Sequence, residues 1–244
     1  MQKYIGGHRA ALVLCAMAAL GAGCDSLGVN SDVIVASGSE QDGSAFTVNG
    51  DILVGEDAVV RGDKVATVNG SIQVRGGATV RNVATTNGNI TVGEAAQTGN
   101  IETVNGGATC GDGARVEGDI TLVNGSIVLA RSAAVVGDVA TVNGSISLTA
   151  ATVGGELRNY HGDILLDEGS EVAGGLSVLG DEPPDDERLA RIVIGPNSTV
   201  RGELVFEHPV ELFVHESASV GTVRGADAVS FSGPLSSVVA GSGG

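Results

Sequence analysis

The dipeptide Asn-Gly returns six times at nearly even spacing, and no other feature limits the fold so tightly. It stands at Asn49-Gly50, Asn69-Gly70, Asn87-Gly88, Asn105-Gly106, Asn124-Gly125 and Asn143-Gly144, and His161-Gly162 and Leu179-Gly180 continue the glycine series. Successive glycines lie 20, 18, 18, 19, 19, 18 and 18 residues apart. A unit this short cannot bury an apolar face alone, so the copies must stack into an array with one continuous core. Aligned, they read roughly [Ser/Asp]-Ile-x-Val-x-x-x-Ala-x-Val-x-Gly-Asp-Val-x-Thr-Val-Asn-Gly.

Apolar residues alternate within each copy over three short stretches, which is strand periodicity. The first stretch places Ile52, Ile72, Ile90, Ala108, Ile127, Ile146, Ile164, Ile192 and Leu212 inward, with Val54 through Val214 two residues further on. The second has a small slot at Ala58, Ala78, Ala114, Ala151 and Ala218, and then Val60, Val80, Val116, Val136, Val153, Val200 and Val220. Val65, Val83, Ile101, Ile120, Val139, Leu157 and Leu204 open the third. Three strands per copy describe one coil of a triangular solenoid. The expected fold is therefore all-β, a parallel β-helix of about nine coils with 18–20 residues each, right-handed in winding. At ~4.8 Å per coil the rod would be roughly 43 Å long. It would occupy residues 45–235, with residues 24–44 as a flexible tether and 236–244 as a disordered tail. The step from Ile164 to Ile192 is ten residues too long, and the excess falls on an acidic loop at about 181–190.

Composition narrows the function. Acidic residues outnumber basic ones 29 to 13, a formal net charge of −16, which speaks against nucleic acid because phosphate binding needs clustered Lys and Arg. The chain has 244 residues with no Trp, 2 Tyr and 4 Phe, too few aromatics for a sugar-stacking groove.

Residues 1–23 contain no carboxylate; Lys3, His8 and Arg9 precede an apolar run from Ala10 to Leu20, then Gly21-Ala22-Gly23 and Cys24. That is the layout of an export signal, and the run is too short to span a bilayer. Small residues directly before a cysteine resemble the bacterial lipobox. The resemblance implies that Cys24 becomes the lipidated first residue, anchoring the protein in the cell envelope on the periplasmic side. Asp25 resembles an inner-membrane retention signal. The alternative is ordinary cleavage near Cys24 and a soluble periplasmic protein. Cys110 is then the one cysteine left in the body, so no internal disulfide forms, and no Cys/His cluster suits a metal.

The Asn-Gly pairs read as a turn ladder, since both residues tolerate positive φ and stacked Asn amides can bond from coil to coil. Gly62-Asp63, Gly118-Asp119 and Gly137-Asp138 read as a second corner. Strict alternation after Val139 would bury Thr141 and expose Val142, and in every coil would expose a column of Val68, Thr86, Val104, Val123, Val142 and Tyr160. Either a bulge turns this column inward, the expected resolution, or it forms an apolar interaction stripe. No nucleophile elbow or phosphate loop occurs, and His161, His208 and His215 lie in different coils, so no enzyme and no cofactor is expected.

Strings such as Val139 to Ile146, Val-Ala-Thr-Val-Asn-Gly-Ser-Ile, together with Thr47 to Ile52, resemble two groups. One is the bactofilins, polymer-forming β-helix proteins; the other is the putative-adhesin β-solenoids of exported proteins. The resemblance implies a structural or interaction protein that self-associates through its terminal coils or presents its side wall to a partner. The alternative is a calcium- or cation-dependent binding module using the acidic loop and corner carboxylates.

Overall fold

A computed structural model describes residues 24–180 and 189–235; the signal-like segment, residues 181–188 of the acidic loop and the tail from residue 236 lie outside it. The described chain is all-β, with no helix, and every strand pairing is parallel. It winds as a β-solenoid of about ten turns, about 48 Å along the stack at the usual strand spacing.

Two walls are eleven-stranded sheets. One, the Thr wall, starts with Cys24–Gly28 and Ser44–Asn49 and runs through strands such as Ile101–Asn105 and Val139–Asn143 to Val223–Arg224. The second, the Ile wall, runs from Val33–Val35 through Ile52–Val54 and Ile127–Leu129 to Ala228–Phe231. The third wall consists of two-residue strands. Glu40–Gln41 pairs Val59–Val60, bridges at Thr79 carry the wall on, and seven strands from Gln97–Thr98 to Ser219–Val220 complete it.

Register puts like on like. Ile72 pairs Ile90, Ala108 pairs Ile127, and Ile127 pairs Ile146, so the inward side chains form continuous columns. The Ile column from Ile52 to Leu212 is buried throughout, as are Ala58, Ala78, Ala96, Ala114, Ala133 and Ala151 in the small slot. Branched side chains fill the two long walls, while alanine faces the narrow angle beside the short wall. Burial at roughly 25 cal/mol per Å² of apolar surface is thus repeated from coil to coil through the middle of the rod.

Four expectations change. Val136 is 47% exposed and Val135 is the inward residue, because Ala133 takes the small slot and the next inward position lies two residues on. Residues 24–44 are not a free tether: Val33–Val35 pairs Ile52–Val54 and Cys24–Gly28 pairs Ser44–Asn49, so they form the first coil. Their Gly- and Ser-rich composition hides the repeat, which survives only at Asn30 and at Val33-x-Val35. At the other end, Val214, Ala218 and Val220 are only partly buried, since the last strand offers Ala228 and Ser230 where earlier coils carry Ile and Val. The fourth change concerns the Thr-Val pair and belongs to the surface described next.

Candidate functional site: the ladder corner and the Thr wall

The register of the Thr wall shifts once, between Cys24 and Ser26 in the first strand, and no bulge interrupts the coils that carry the Thr-Val pairs. From Ile101–Asn105 to Val139–Asn143 the pairing keeps one offset, Ile101 to Ile120, Thr103 to Leu122 and Asn105 to Asn124. Alternation is therefore strict, Thr47, Thr67, Thr85, Thr103 and Thr141 are buried, and Val68, Thr86, Val104, Val123, Val142 and Tyr160 form a half-exposed column. Buried hydroxyls are tolerable because each donates to a carbonyl of the preceding coil: Thr67 Oγ1 to Gly50 at 2.9 Å, Thr85 to Gly70 at 2.9 Å, Thr141 to Gly125 at 2.9 Å. Asn159 replaces Thr and reaches Gly144 O at 3.1 Å in the same way. Sequence periodicity alone cannot reveal that carbonyl, and without it the favoured arrangement turns the column inward.

The corner that joins the Thr wall to the Ile wall carries three parallel columns. Outermost are the asparagines, whose amides bond in series: Asn49 Nδ2 donates to Asn30 Oδ1 at 2.6 Å, Asn69 to Asn49 at 2.7 Å, Asn87 to Asn69 at 2.7 Å, Asn105 to Asn87 at 2.9 Å, Asn124 to Asn105 at 2.9 Å and Asn143 to Asn124 at 2.8 Å. Next come the glycines Gly50, Gly70, Gly88, Gly106, Gly125 and Gly144, each of whose successors would drive a Cβ into the carbonyl oxygen below it. The third column satisfies backbone amides. Asp51 Oδ1 accepts from Ser71 N at 2.7 Å, Asn89 Oδ1 from Gly107 N at 2.8 Å and Asp163 Oδ1 from Arg191 N at 2.9 Å.

Positive φ is found at only part of this corner, at Asn30 (58°), Gly88 and Gly106 (155° each) and Gly162 (131°), and not at Gly50, Gly70, Gly125 or Gly144. Left-handed residues gather instead at the corner after the Ile strands, where Gly38, Asp57, Gly77, Ala95, Gly113, Ser132, Ala150 and Asn197 have φ between 47° and 68°. The Asn-Gly corner selects glycine for close stacking.

The Gly-Asp corner follows the third-column logic. Asp119 Oδ1 accepts from Asp138 N at 2.8 Å, and Asp138 Oδ1 from Glu156 N at 2.9 Å. These carboxylates therefore already hold coil to coil, and among the described residues no group of three or more His, Cys, Asp or Glu converges as a metal site does. Most arginines sit on carboxylates: Arg61 on Glu40, Arg81 on Asp63, Arg115 on Glu117, Arg131 on Glu168 and Arg201 on Glu171. Arg158 bridges Asp138 at 2.7 Å and Glu156 at 2.9 Å. A shallow depression of about 330 Å³ lies at the same corner, lined by Arg81, Asn82, Gln97 and Glu117 among others.

One juxtaposition is hidden from the sequence. His208 is buried, with Nε2 3.1 Å from Tyr160 O and Nδ1 3.2 Å from Pro209 O, and its ring stacks on His161 at 6.4 Å. His161 takes the place after Asn143 in the amide column, and Gly180 lies beside the ring of His208. The long loop between the two coils masks this spacing in the sequence.

No protein-family model matches this chain, and no curated protein and no solved structure matches it significantly.

Proposed function

We propose that this chain is a non-enzymatic interaction protein of the bacterial cell envelope, anchored by lipid at Cys24, whose rod presents its side wall to a partner. The observation that carries the reading is the half-exposed column Val68, Val104, Val123, Val142 and Tyr160. Interrupted by Thr86 between Val68 and Val104, it runs beside an amide ladder whose hydrogen bonds are spent within the rod, so the wall offers a straight, mainly apolar line. Contiguous apolar surface of this kind marks interaction sites.

Self-association is the second reading, and its support is specific: among the described residues both long sheets end in strands paired on one side only, Cys24–Gly28 and Val33–Val35 at one end, Val223–Arg224 and Ala228–Phe231 at the other. Open edges pair with other chains unless blocked. Anchoring favours the side wall over a polymer, because a lipid on the first strand occupies the end that head-to-tail stacking would use.

Fractionation of a bacterial host expressing the full chain tests the anchor. The protein is expected in the membrane fraction, released by detergent and not by salt, and Cys24→Ser is expected in the soluble periplasm. A Cys24→Ser chain that stays in the membrane would overturn the lipid anchor.

A further inference from the structure

We propose that the first coil is a membrane-contacting collar, its corner between the two long walls seated in the lipid headgroup region of the bilayer. This rests on the lipid anchor at Cys24 proposed above and adds where the rod meets the membrane. Cys24 is the first residue of the first strand, Cys24–Gly28, which pairs Ser44–Asn49. An acyl chain on Cys24 therefore has no spacer, and the bilayer must lie against the terminal coil.

That coil is built for such contact. The three most exposed large apolar residues of the described chain, Ile34 at 70%, Leu27 at 69% and Val29 at 62%, lie on it within eight residues. Leu27 belongs to the Thr wall, Ile34 to the Ile wall, and Val29 to the corner between them. Val29 precedes Asn30 as Val48 precedes Asn49, so it also heads the outward Val column.

On the two walls that flank the corner, the large outward apolar side chains end at the second coil, with Leu53 and Phe46. Outward from Ile34 the register gives Leu53, then Gln73, Thr91 and Thr109. Outward from Leu27 it gives Phe46, Ala66, Ala84 and then Glu102. Two coils at ~4.8 Å each make a band about 10 Å deep, the depth at which interfacial elements sit in the headgroup and acyl boundary. The third wall begins with Glu40–Gln41, and Glu40 and Asp42 pair Arg61, so this side stays in water. Only one corner is immersed, and the rod leaves the membrane tilted toward it.

The chain contains no Trp, so a single introduced indole reports its own surroundings. The full chain carrying Leu27→Trp, Ile34→Trp or Val229→Trp would be purified from membranes and reconstituted in phosphatidylethanolamine–phosphatidylglycerol vesicles with or without brominated lipid. Mass spectrometry of the same samples reads the lipid on Cys24. Emission from Leu27→Trp and Ile34→Trp is expected to shift to the blue and to lose most of its intensity to brominated lipid. Val229→Trp, exposed at the far end, is expected to keep both. Water-like, unquenched emission at positions 27 and 34 in lipid-bearing protein would overturn the collar and leave the anchor standing. Equal quenching at position 229 would also overturn it, since the rod would then lie flat. A Cys24 without lipid would overturn the anchor and the collar together.

Discussion

Glycine has two separable jobs in this chain, and they can be told apart by one methyl group. Gly125 is not among the positive-φ glycines, but a Cβ there would overlap the carbonyl oxygen of Gly106. Gly113 sits at φ 65°, and the nearest neighbouring atom lies 4.0 Å from where a methyl carbon would stand, so alanine there meets conformational cost alone. Gly113→Ala is expected to lose about 1 kcal/mol, the left-handed penalty of an L-residue. Gly125→Ala is expected to lose about 3 kcal/mol or more, because backbone must move to admit the methyl. Urea unfolding of the two variants checks the ranking, and equal losses would contradict it. Cys110 makes a different residue-scale statement. It is buried between Val92 and Leu129, and burial pushes its thiol up to about 12. A raised acid pKa means the folded state holds the proton more tightly. The stability it supports is complete below the unfolded thiol's value of about 8.5 and is lost as pH rises toward 12. Cys110→Val should flatten the alkaline fall in melting temperature relative to the parent, and the native parent thiol should resist alkylation at pH 8 until the chain unfolds.

At the scale of the strand, the Thr wall shows how a polar residue can belong in a core. Each buried Thr hydroxyl answers one carbonyl of the preceding coil, so it fixes the stagger between neighbours as well as filling space. Thr141→Val keeps the shape, removes the donor to Gly125 O, and should cost about 1 kcal/mol in thermal or urea unfolding. No loss would mean the hydroxyl is incidental. Element existence is legible in the sequence here because the columns repeat: Ile127 and Ile146 declare themselves by spacing. What spacing cannot show is a partner on another coil. The Thr-to-glycine bond and the His161–His208 stack both depend on which atom another coil brings near, and Val135 over Val136 depends on which of Ala133 and Ala134 takes the small slot. The first coil escapes the repeat for a related reason. Gly28 stands where the next coils carry Thr, and Leu27 pairs Phe46 where the coils beyond carry Ala66 and Ala84, so only backbone pairing reveals the strand.

For the whole molecule, stability is a property of the stack. Ile127 lies mid-rod, fully buried and paired on both sides by Ala108 and Ile146. Ile127→Asp would place an unpaired carboxylate in that column, at a cost of several kcal/mol that neighbouring coils cannot relieve. Circular dichroism is expected to show loss of the β signal, and a parent-like melt would contradict the inward assignment. The same one-dimensional logic gives the rod two ends and a wall, and the functional question is which of these it uses. Negative-stain microscopy of the lipid-bearing full chain in vesicles, over a concentration and salt series, separates them most directly. Discrete rods of one length, about 48 Å, attached to the bilayer by one end at every condition, are the result expected of an anchored interaction protein. Filaments that lengthen with concentration, or rods free of the vesicles, would contradict it.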